Sequence, residues 1–583
     1  MVRRTIPISR TAHRLDPDDP SLVALPDRTT AGFLALSPDG QNLVVNFLGP
    51  KRGLAVRPLG SDEFRVLANT TVLETGARGP FWSADGKSIA FIQNGKWKYV
   101  SASGGPAQEL CGGTTNGGTW NRDNVILLAG ANGTLLKTTT SGGGCTTLPG
   151  DPAIARKGPY FLPDGKHFLY QGSPTGIHVA AASETGVFVA SLEDPTGGKR
   201  LLPDNTTAVF APPADSTGTG YLLFRRDDAL MAQAFNPATL QLSGEIVKVA
   251  NGVSIDQDGR VMVAAAPNGV LVFGTGRDPQ LKQLLWLDRA GKPLASPGPM
   301  LRQNGVALSP GDRRIAVDRF GTPFQVWLEE MTGNGLIGSN ELRLTNEPLG
   351  GTAPVWSPDG KMLAFTGSDG NLYRKGASGS GKEELLLKTG SRKTASDWSR
   401  DGRFLFYTEV GAETQGDIWV LPNPLGPAGE SKPYPFLQTA ADESQAQLSP
   451  DGRWVAYASN ESGTSEIYMR PFPTGEGRWK VSIKQSREPR WRGDGKELFY
   501  LEDGDYPDTN LMVLPVTSGT NGSFSPGAPL RLFKRSLRIR LQDENAFAYA
   551  ASADGQRFLV LAKPDVQENI HVLTNWTQQL EKK

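Results

Sequence analysis

The run with the spacing of a phosphate-binding loop is Gly376–Lys382, which reads G-x-x-x-x-G-K. A working loop needs Ser or Thr directly after the lysine to reach Mg²⁺, and a helix N-terminus to present amides to the phosphates. Glu383 follows the lysine instead, and the run lies between two predicted strands. We therefore predict a hairpin turn here and no nucleotide site.

Metal, cofactor and nucleophile chemistry has little support in the residue types. The chain has four histidines, none in an H-E-x-x-H pair, and no C-x-x-C pair, so zinc-ligand spacings are missing. It also has no G-x-S-x-G elbow of an α/β-hydrolase. We expect no metal, no cofactor and no enzymatic activity. A hydrolase or lyase that uses carboxylates in a channel remains an alternative.

The sequence gives little indication of the cellular compartment of the protein. Cys111 and Cys145 could pair, but two cysteines do not make a disulfide scaffold, and we expect two isolated thiols. The start, Met1–Ile8, is basic but lacks the apolar core of roughly 7–15 residues that a signal peptide needs. The chain is therefore either cytosolic or cut from a longer protein that carried the targeting segment.

A repeat organises nearly the whole chain. Each copy has an aromatic residue or Leu, then Ser-Pro-Asp-Gly or a variant of it, then a polar residue and an apolar run. Pro fixes φ at the start of a turn, and Asp-Gly supplies the hydrogen bond and the left-handed backbone that close it. A period of about 40–50 residues with this turn is typical of propeller blades with four strands each. Clear copies begin at Leu36, Trp82, Leu162, Trp356, Trp398, Leu448, Trp491 and Ser552, and weaker ones at Trp120 and Leu308.

Composition agrees with a folded all-β protein. The 583 residues include 69 Gly and 43 Pro, as many short turns require, and the mean hydropathy is −0.34. With 61 basic and 60 acidic residues the net charge is +1, so we expect no nucleic-acid partner. No apolar run reaches the roughly 18 residues of a membrane span.

The number of repeats predicts the domains. With two further strand-rich units that lack the turn motif, around Tyr221–Phe235 and Val261–Phe273, about six units precede residue 300 and six follow it. We therefore predict two tandem six-bladed β-propellers with four-stranded antiparallel blades. The predicted boundaries are an N-terminal segment at 1–30, which contains a strand that closes a distant blade, the first propeller at 31–298, the second at 299–577, and a tail at 578–583.

The repeat resembles a known family. The unit Trp356–Phe365, W-S-P-D-G-K-x-apolar-A-F, is similar to the WD40-like (PD40) repeat of TolB-type bacterial propellers. Gln445–Pro473, Pro489–Tyr500 and Val572–Trp576 resemble the C-terminal sensor propeller region of bacterial serine/threonine kinases. The chain has no V-A-I-K strand, H-R-D loop or D-F-G motif, so kinase activity is not implied. The resemblance implies a TolB-like fold, an extracytoplasmic (periplasmic or cell-surface) location and recognition of a partner.

The channel of a propeller is the place to look for a site. Inner strands run along the central axis, so residues five positions before the motif serine should lie near one rim. Most of them are polar, which would suit an anionic or peptide ligand or simply a water-filled channel. We select these and their neighbours as candidate ligand-binding residues: Arg78, Lys157, Lys393, Asp442, Glu443, Arg487, Glu488 and Arg490. Asp397 lies near this set.

These observations favour a non-enzymatic recognition or sensor protein that binds a protein, peptide or envelope ligand at its channel rims. A structural subunit of an extracellular assembly, joined by donation of the N-terminal strand, is a further alternative.

The repeated Trp82, Trp356, Trp398 and Trp491 occupy one position of the unit, which indicates packing between blades.

Overall fold

The Ser-x-Asp-Gly turns form the same hydrogen-bonded loop in sheet after sheet. In one copy Ser357 Oγ donates to Asp359 Oδ1 at 2.6 Å, and the amides of Lys361 and Met362 donate to Asp359 Oδ1 and Ser357 Oγ at 3.0 and 2.9 Å. Gly360 closes the turn with φ of 67°, a left-handed value that glycine adopts at little cost. The bond from Ser357 lowers the pKa of Asp359, and the Lys361 amide adds to this effect. Each turn therefore joins two antiparallel strands rigidly.

The computed structural model describes most of the chain. The described ranges are 3–7, 30–48, 53–61, 63–71, 77–113, 117–174, 185–213, 218–256, 259–276, 278, 281–295, 298–321, 323–331, 337–411, 415–427, 430–504, 508–518, 524–535, 546–563 and 569–580. Most of the predicted N-terminal segment, residues 581–583 of the predicted tail, His13 and His178 lie outside these ranges.

The described residues form two compact units. The first comprises residues 1–279 and 565–583, and the second comprises residues 280–564. No α-helix occurs in the described ranges, which contain strands and two 3₁₀ turns, Ala131–Gly133 and Trp576–Gln579. None of the described residues forms a helix long and apolar enough to cross a membrane.

The first unit is built from the strands up to residue 275 and the last strand of the chain. Its strands are β1 (Arg3–Pro7), β2 (Thr30–Leu36), β3 (Asn42–Leu48), β4 (Gly53–Pro58), β5 (Arg65–Val66), β6 (Arg78–Trp82), β7 (Ser88–Gln93), β8 (Lys96–Ser101), β9 (Gln108–Gly112), β10 (Gly118–Trp120), β11 (Ile126–Ala129), β12 (Leu135–Thr138), β13 (Thr146–Leu148), β14 (Ile154–Phe161), β15 (His167–Pro174), β16 (Gly186–Ser191), β17 (Lys199–Leu202), β18 (Ala208–Ala211), β19 (Gly220–Arg226), β20 (Ala229–Asn236), β21 (Gln241–Ala250), β22 (Val263–Ala265) and β23 (Val270–Thr275), together with β48 (Asn569–Thr574).

The second unit holds the strands in between. They are β24 (Leu281–Asp288), β25 (Leu301–Leu308), β26 (Arg314–Arg319), β27 (Gln325–Met331), β28 (Ile337–Arg343), β29 (Thr352–Trp356), β30 (Met362–Thr366), β31 (Leu372–Gly376), β32 (Glu384–Leu387), β33 (Lys393–Trp398), β34 (Phe404–Val410), β35 (Gly416–Pro422), β36 (Tyr434–Leu437), β37 (Glu443–Leu448), β38 (Trp454–Ser459), β39 (Glu466–Pro471), β40 (Trp479–Lys480), β41 (Ser486–Trp491), β42 (Glu497–Asp503), β43 (Thr509–Ser518), β44 (Phe524–Pro526), β45 (Leu530–Arg535), β46 (Tyr549–Ala551) and β47 (Arg557–Ala562).

Most sheets are four-stranded antiparallel meanders, as the repeat predicts. In the first unit they are β2–β5, β6–β9, β10–β13, β14–β17 and β18–β21, and a further sheet has the order β22-β23-β48-β1. In the second unit β29–β32, β33–β36 and β37–β40 follow the same plan, and β43 pairs with β42, β44 and β45. The sheets β25–β28 and β46-β47-β24 are linked through β24 and β25. The all-β, four-stranded antiparallel prediction is confirmed.

The first strand of each sheet lies beside the first strand of the next. We call these the inner strands. In the first unit they run β2, β6, β10, β14, β18, β22, and β22 lies beside β2 again. In the second unit β25, β29, β33, β37, β41 and β46 follow in the same way, and β46 lies beside β25. Strands that return to their starting neighbour around a common axis define a β-propeller.

The hydrophobic core lies between neighbouring sheets. One cluster packs Val326 and Leu328 of one sheet against Trp356 and Phe365 of the next. The recurring tryptophans also hydrogen-bond across this interface, because the Nε1 atoms of Trp82, Trp356 and Trp491 donate to carbonyls of the preceding inner strand at 3.1, 3.2 and 3.1 Å. Trp398 is buried as well, although its Nε1 donates to Gly402 in its own turn. The tryptophans are thus packing residues.

The expectation of two isolated thiols is wrong. Cys111 of β9 and Cys145, which directly precedes β13, form a disulfide. The two residues lie in the outermost strand of one sheet and beside the outermost strand of the next. The sequence-based expectation failed because 34 residues separate the cysteines, and only the stacking of consecutive sheets brings them together.

Candidate ligand-binding site

Each unit contains a cavity lined by its inner strands. The cavity of the second unit, here the second cavity, has a volume of about 440 Å³, and that of the first unit, the first cavity, about 370 Å³. Both lie within the size range of small-ligand pockets. Both are lined by the C-terminal halves of the inner strands and by the Ser-x-Asp-Gly turns that follow.

Equivalent positions of the inner strands bring six side chains of the second cavity to one level. These residues pair in the same register with the second strands of their sheets, for example Asp397 with Phe406, Gln447 with Ala456 and Arg490 with Phe499. Around the ring the six read Ala307, Val355, Asp397, Gln447, Arg490 and Ala550, and all line the cavity. Three consecutive sheets therefore form a polar arc, Asp397-Gln447-Arg490, opposite three small apolar residues.

Asp397 supplies the carboxylate of this arc. It lies deep in the channel, with part of its side chain open to the cavity. Burial raises its pKa to about 6, although the Leu448 amide, which donates to Oδ2 at 2.8 Å, and the charges of Arg490 and Arg400 act in the opposite direction. Asp397 can therefore change its charge near neutral pH.

Arg490 supplies the cation at the other end of the arc. Its guanidinium carbon lies 3.6 Å from the ring centre of Phe547, and its Nη1 donates to Gln447 Oε1 at 3.2 Å. Burial lowers the pKa of Arg490, which remains charged at neutral pH because arginine titrates so high. Stacking on Phe547 holds the plane of the guanidinium in a fixed orientation.

Arg400 reaches across the mouth of the second cavity. It occupies the turn position at which Pro310, Pro358 and Pro450 stand in neighbouring turns. Its Nη1 donates to the carbonyl of Gly493 at 2.7 Å, which joins the turn after β33 to the turn after β41. The side chain is exposed, so this contact narrows the opening with a group that solvent reaches.

A buried polar network lies toward the N-terminal ends of the inner strands. Gln445 Oε1 accepts from the Glu488 amide at 2.8 Å, and Glu488 Oε2 accepts from the Ala548 amide at 2.6 Å. Asp318 accepts from the amides of Gly305 and Ala353. Burial lowers the pKa of Lys282 to about 8, against the opposing charges of Asp318 and Glu488. These bonds tie inner strands of different sheets together.

Backbone strain accompanies this network. Ala353, Gln445 and Glu488 have φ of 50°, 57° and 58°, in the left-handed region that non-glycine residues rarely adopt. The first unit has glycine at the equivalent positions, Gly79 and Gly158, with φ of 58° and 55°. The second unit therefore accepts strain to place Gln445 and Glu488 between its inner strands.

The first cavity has a different chemistry. Its lining includes Pro80, Pro159, Pro212, Pro267 and the aromatic Phe81, Trp120 and Tyr160. One cation in its lining, the half-buried Arg260, pairs with Asp256 at 3.0 Å and lies 5.0 Å from the ring centre of Phe33. The first cavity is thus largely apolar, whereas the second carries a charged arc.

The candidate residues predicted from the sequence are spread over different environments. Arg490 lines the second cavity, and the other seven predicted residues line neither cavity. Arg78 and Lys157 lie at the bulges of β6 and β14, and the Lys157 side chain is exposed. Asp442 accepts from the Gly416 amide at 3.0 Å in a loop before β37.

Three predicted residues are buried and bonded to neighbouring groups. Lys393 donates to the Ser391 carbonyl at 2.6 Å and lies 3.9 Å from Glu409, and burial lowers its pKa. Glu443 accepts from Thr439 Oγ1, and burial raises its pKa. Glu488 belongs to the buried network, where burial raises its pKa against the charge of Arg487.

Arg487 joins Glu488 and Asp503 in an ion-pair cluster. Its Nε lies 3.4 Å from Glu488 Oε1, and its Nη1 donates to Asp503 Oδ1. Burial opposes the charge of Arg487, but the two carboxylates outweigh burial and raise its pKa. The structure therefore brings Arg487, Glu488 and Arg490 into one stretch of β41 and keeps Lys393 and Glu443 apart from them.

The residues that sequence reasoning missed are Gln447 and Arg400. The sequence prediction used the residues five positions before the motif serine. The residues that line the cavities begin about four positions before this serine and continue into the turn. The residue two positions before this serine is Ala35, Phe81 or Tyr160 in three copies of the first unit. The charged and amide side chains at the same position in the second unit are therefore the sequence signal for the arc. Nothing in the sequence indicates that Arg400 contacts Gly493 across the mouth of the second cavity.

Comparisons with known proteins give fold-level likenesses. No protein-family model and no curated protein matches the chain. A protein assigned as TolB from Agrobacterium tumefaciens is 15% identical over 49% of this chain and 99% of its own, with a TM-score of 0.39. TolB from Acinetobacter baumannii is 16% identical over 57% of this chain and 81% of its own, with a TM-score of 0.33. The tricorn protease is 13% identical over 89% of this chain and 54% of its own, with a TM-score of 0.29.

The TM-scores are below 0.5, so the propeller assignment depends on the strand pairing and not on these likenesses. Within the described ranges, no group of three or more His, Cys, Asp and Glu side chains could hold a metal ion. The polar arc of the second cavity, with its carboxylate, amide and guanidinium groups, is the candidate site.

Proposed function

We propose that the protein is a recognition protein made of two closed six-bladed propellers, which binds a peptide segment of a protein or envelope ligand at the mouth of the second cavity. The polar arc Asp397-Gln447-Arg490 carries this proposal, because it places fixed charges on one wall of an open channel with small apolar residues opposite. The first unit, whose cavity is largely apolar, would act as the second module of the same protein.

An extracytoplasmic location fits this role. The Cys111–Cys145 disulfide supports an oxidising compartment, since disulfides persist in secreted and periplasmic proteins and are rare in the cytosol. The sensor role implied by the resemblance to the propeller regions of bacterial kinases is part of the same proposal.

Selection of peptides on the full chain tests the function. A displayed library of random peptides is enriched on the wild-type protein, and the selected pool is then bound to Arg490→Gln and to Arg313→Gln. Arg313 is an exposed arginine of the second unit outside the cavity, so its variant is a matched control. We expect the control to retain the pool and Arg490→Gln to lose it. No enrichment, or equal binding to both variants, contradicts the proposal.

A hydrolase or lyase acting through Asp397 is the second candidate. A carboxyl group whose pKa is about 6 suits proton transfer near neutral pH. Cleavage of selected peptides by the wild-type protein, abolished in Asp397→Asn, would favour this function over simple binding.

A further inference from the structure

The second cavity carries two opposite charges, Asp397 and Arg490, that form no ion pair with one another among the described side chains. Asp397 accepts from the backbone of Leu448, and Arg490 donates to the side chain of Gln447. Gln447 stands between them on the intermediate sheet and donates through Nε2 to the Ser396 carbonyl. One carboxylate and one guanidinium are thus held apart on a single wall.

The opposite wall of the second cavity is lined by small apolar side chains. Ala307, Val355 and Ala550 hold the equivalent positions on the other three sheets. Small side chains there leave space in a cavity of about 440 Å³, and they can contact the apolar part of a ligand.

We propose that the second cavity binds a small zwitterion of the size of a di- or tripeptide, with its ammonium group at Asp397 and its carboxylate at Arg490. This inference rests on the proposed function and names the ligand class of its site. A guanidinium fixed by an aromatic ring presents its parallel donors to a carboxylate. A carboxylate in a partly desolvated wall favours a cation that brings its own hydrogen-bond donors.

The mouth of the cavity fits a ligand of limited length. The Arg400 contact to Gly493 spans from one turn to another two sheets away. A free tripeptide passes this opening when Arg400 releases one carbonyl, a modest cost for an exposed side chain. The same bridge favours a chain end over an internal segment that runs past the arc.

Calorimetric titration of the full chain with trialanine tests the inference. The comparison ligands are N-acetyl-trialanine, trialanine amide and the doubly blocked peptide. We expect trialanine to bind and each single block to weaken binding at least tenfold. Because the blocked peptides probe the wild-type protein, this result does not depend on any variant folding. Absence of trialanine binding at millimolar concentration, or equal binding of the blocked forms, overturns the inference.

Two variants assign the charges. Asp397→Asn should bind trialanine and N-acetyl-trialanine equally, and Arg490→Gln should bind trialanine and its amide equally. The matched controls Glu330→Gln and Arg313→Gln, exposed residues of the second unit, should bind as the wild-type protein does. Weakening in both controls, or unchanged discrimination in both arc variants, overturns the inference.

The outcome is distinguishable from that of the proposed function. If displayed peptides bind through Arg490 and trialanine does not bind, the zwitterion inference fails and the recognition function stands. If neither ligand binds, both fail.

Discussion

At the scale of single residues, the second unit concentrates its chemistry at positions where the repeat would accept small apolar side chains. The fold requires only small apolar side chains at these positions, as Ala307, Val355 and Ala550 show. The polar side chains of Asp397, Gln447 and Arg490 are additional to this requirement. Charged groups in a partly desolvated wall cost stability, which is characteristic of positions retained for binding.

Asp397→Asn should stabilise the protein in a pH-dependent way. The folded pKa of about 6 lies above the ordinary value of 3.8. The wild-type protein therefore loses stability as pH rises from about 4 to about 6, and the loss remains above that range. We expect the variant to gain about 1–2 kcal/mol in the free energy of unfolding at pH 8 and about half as much at pH 5. Urea denaturation at both pH values measures this, and a gain that is equal at both would contradict the assignment.

The recurring tryptophans offer a second test at this scale. Trp356 is buried and its Nε1 donates to the Ala307 carbonyl at 3.2 Å. Trp356→Phe should cost about 1 kcal/mol for the lost bond, and Trp356→Ala about 3–5 kcal/mol. Trp419→Phe is the matched control, because the buried Nε1 of Trp419 has no hydrogen-bond partner among the residues that the structure describes. Chemical denaturation should therefore rank Trp419→Phe as the mildest of the three.

At the scale of elements, the sequence predicts more of the turns and strands than of the contacts between sheets. The serine, aspartate and glycine of each motif are local signals, because their hydrogen bonds span five residues or fewer. The disulfide and the Arg400 bridge join segments 34 and 93 residues apart, so they depend on sheet order and side-chain reach. The sequence identifies Arg490 as a candidate residue and Asp397 as a nearby charge. It does not show that the two side chains lie at the same level of the channel.

Loss of the disulfide should weaken the first unit. A crosslink between residues 34 apart stabilises by about 3–4 kcal/mol in the loop-entropy description. The double variant Cys111→Ser, Cys145→Ser should therefore lose amide protection in β6–β13, measured by hydrogen exchange. The second unit is the internal control and should exchange as before. Reductant should produce the same loss in the wild-type protein and no further loss in the double variant.

Strand β1 provides a separate prediction. It pairs with β48 over five residues, from Arg3 with Leu573 to Pro7 with Asn569. Deletion of residues 1–7 leaves β48 as an unpaired sheet edge, which favours association between chains. We expect faster exchange of β48 amides and concentration-dependent association in light scattering. If the full-length chain instead forms oligomers that the deletion separates, β1 is exchanged between copies, as the assembly alternative requires.

At the scale of the whole molecule, the two units share a fold and differ in the chemistry of their cavities. The proline and aromatic lining of the first cavity contrasts with the charged arc of the second. The repeated turn, present in most copies of the repeat, was enough to predict the four-stranded antiparallel sheets. It could not assign function to a channel, because the residues that differ between the units are few and lie on many separate strands.

A ligand of the second cavity should therefore protect that unit alone. Trialanine at saturating concentration should slow hydrogen exchange in β33, β37 and β41 and leave β6, β10 and β14 unchanged. Protection of both units to the same extent would contradict a site confined to the arc.

The position of β48 has a consequence for biosynthesis. This strand pairs with β23 and β1, yet the ribosome makes it only after the entire second unit, residues 280–564. The nascent first unit must therefore wait with an open sheet edge while nearly three hundred further residues emerge, a period of about 15–60 s at ordinary translation rates. During that interval a first unit whose last sheet is incomplete is the species that chaperones and proteases encounter.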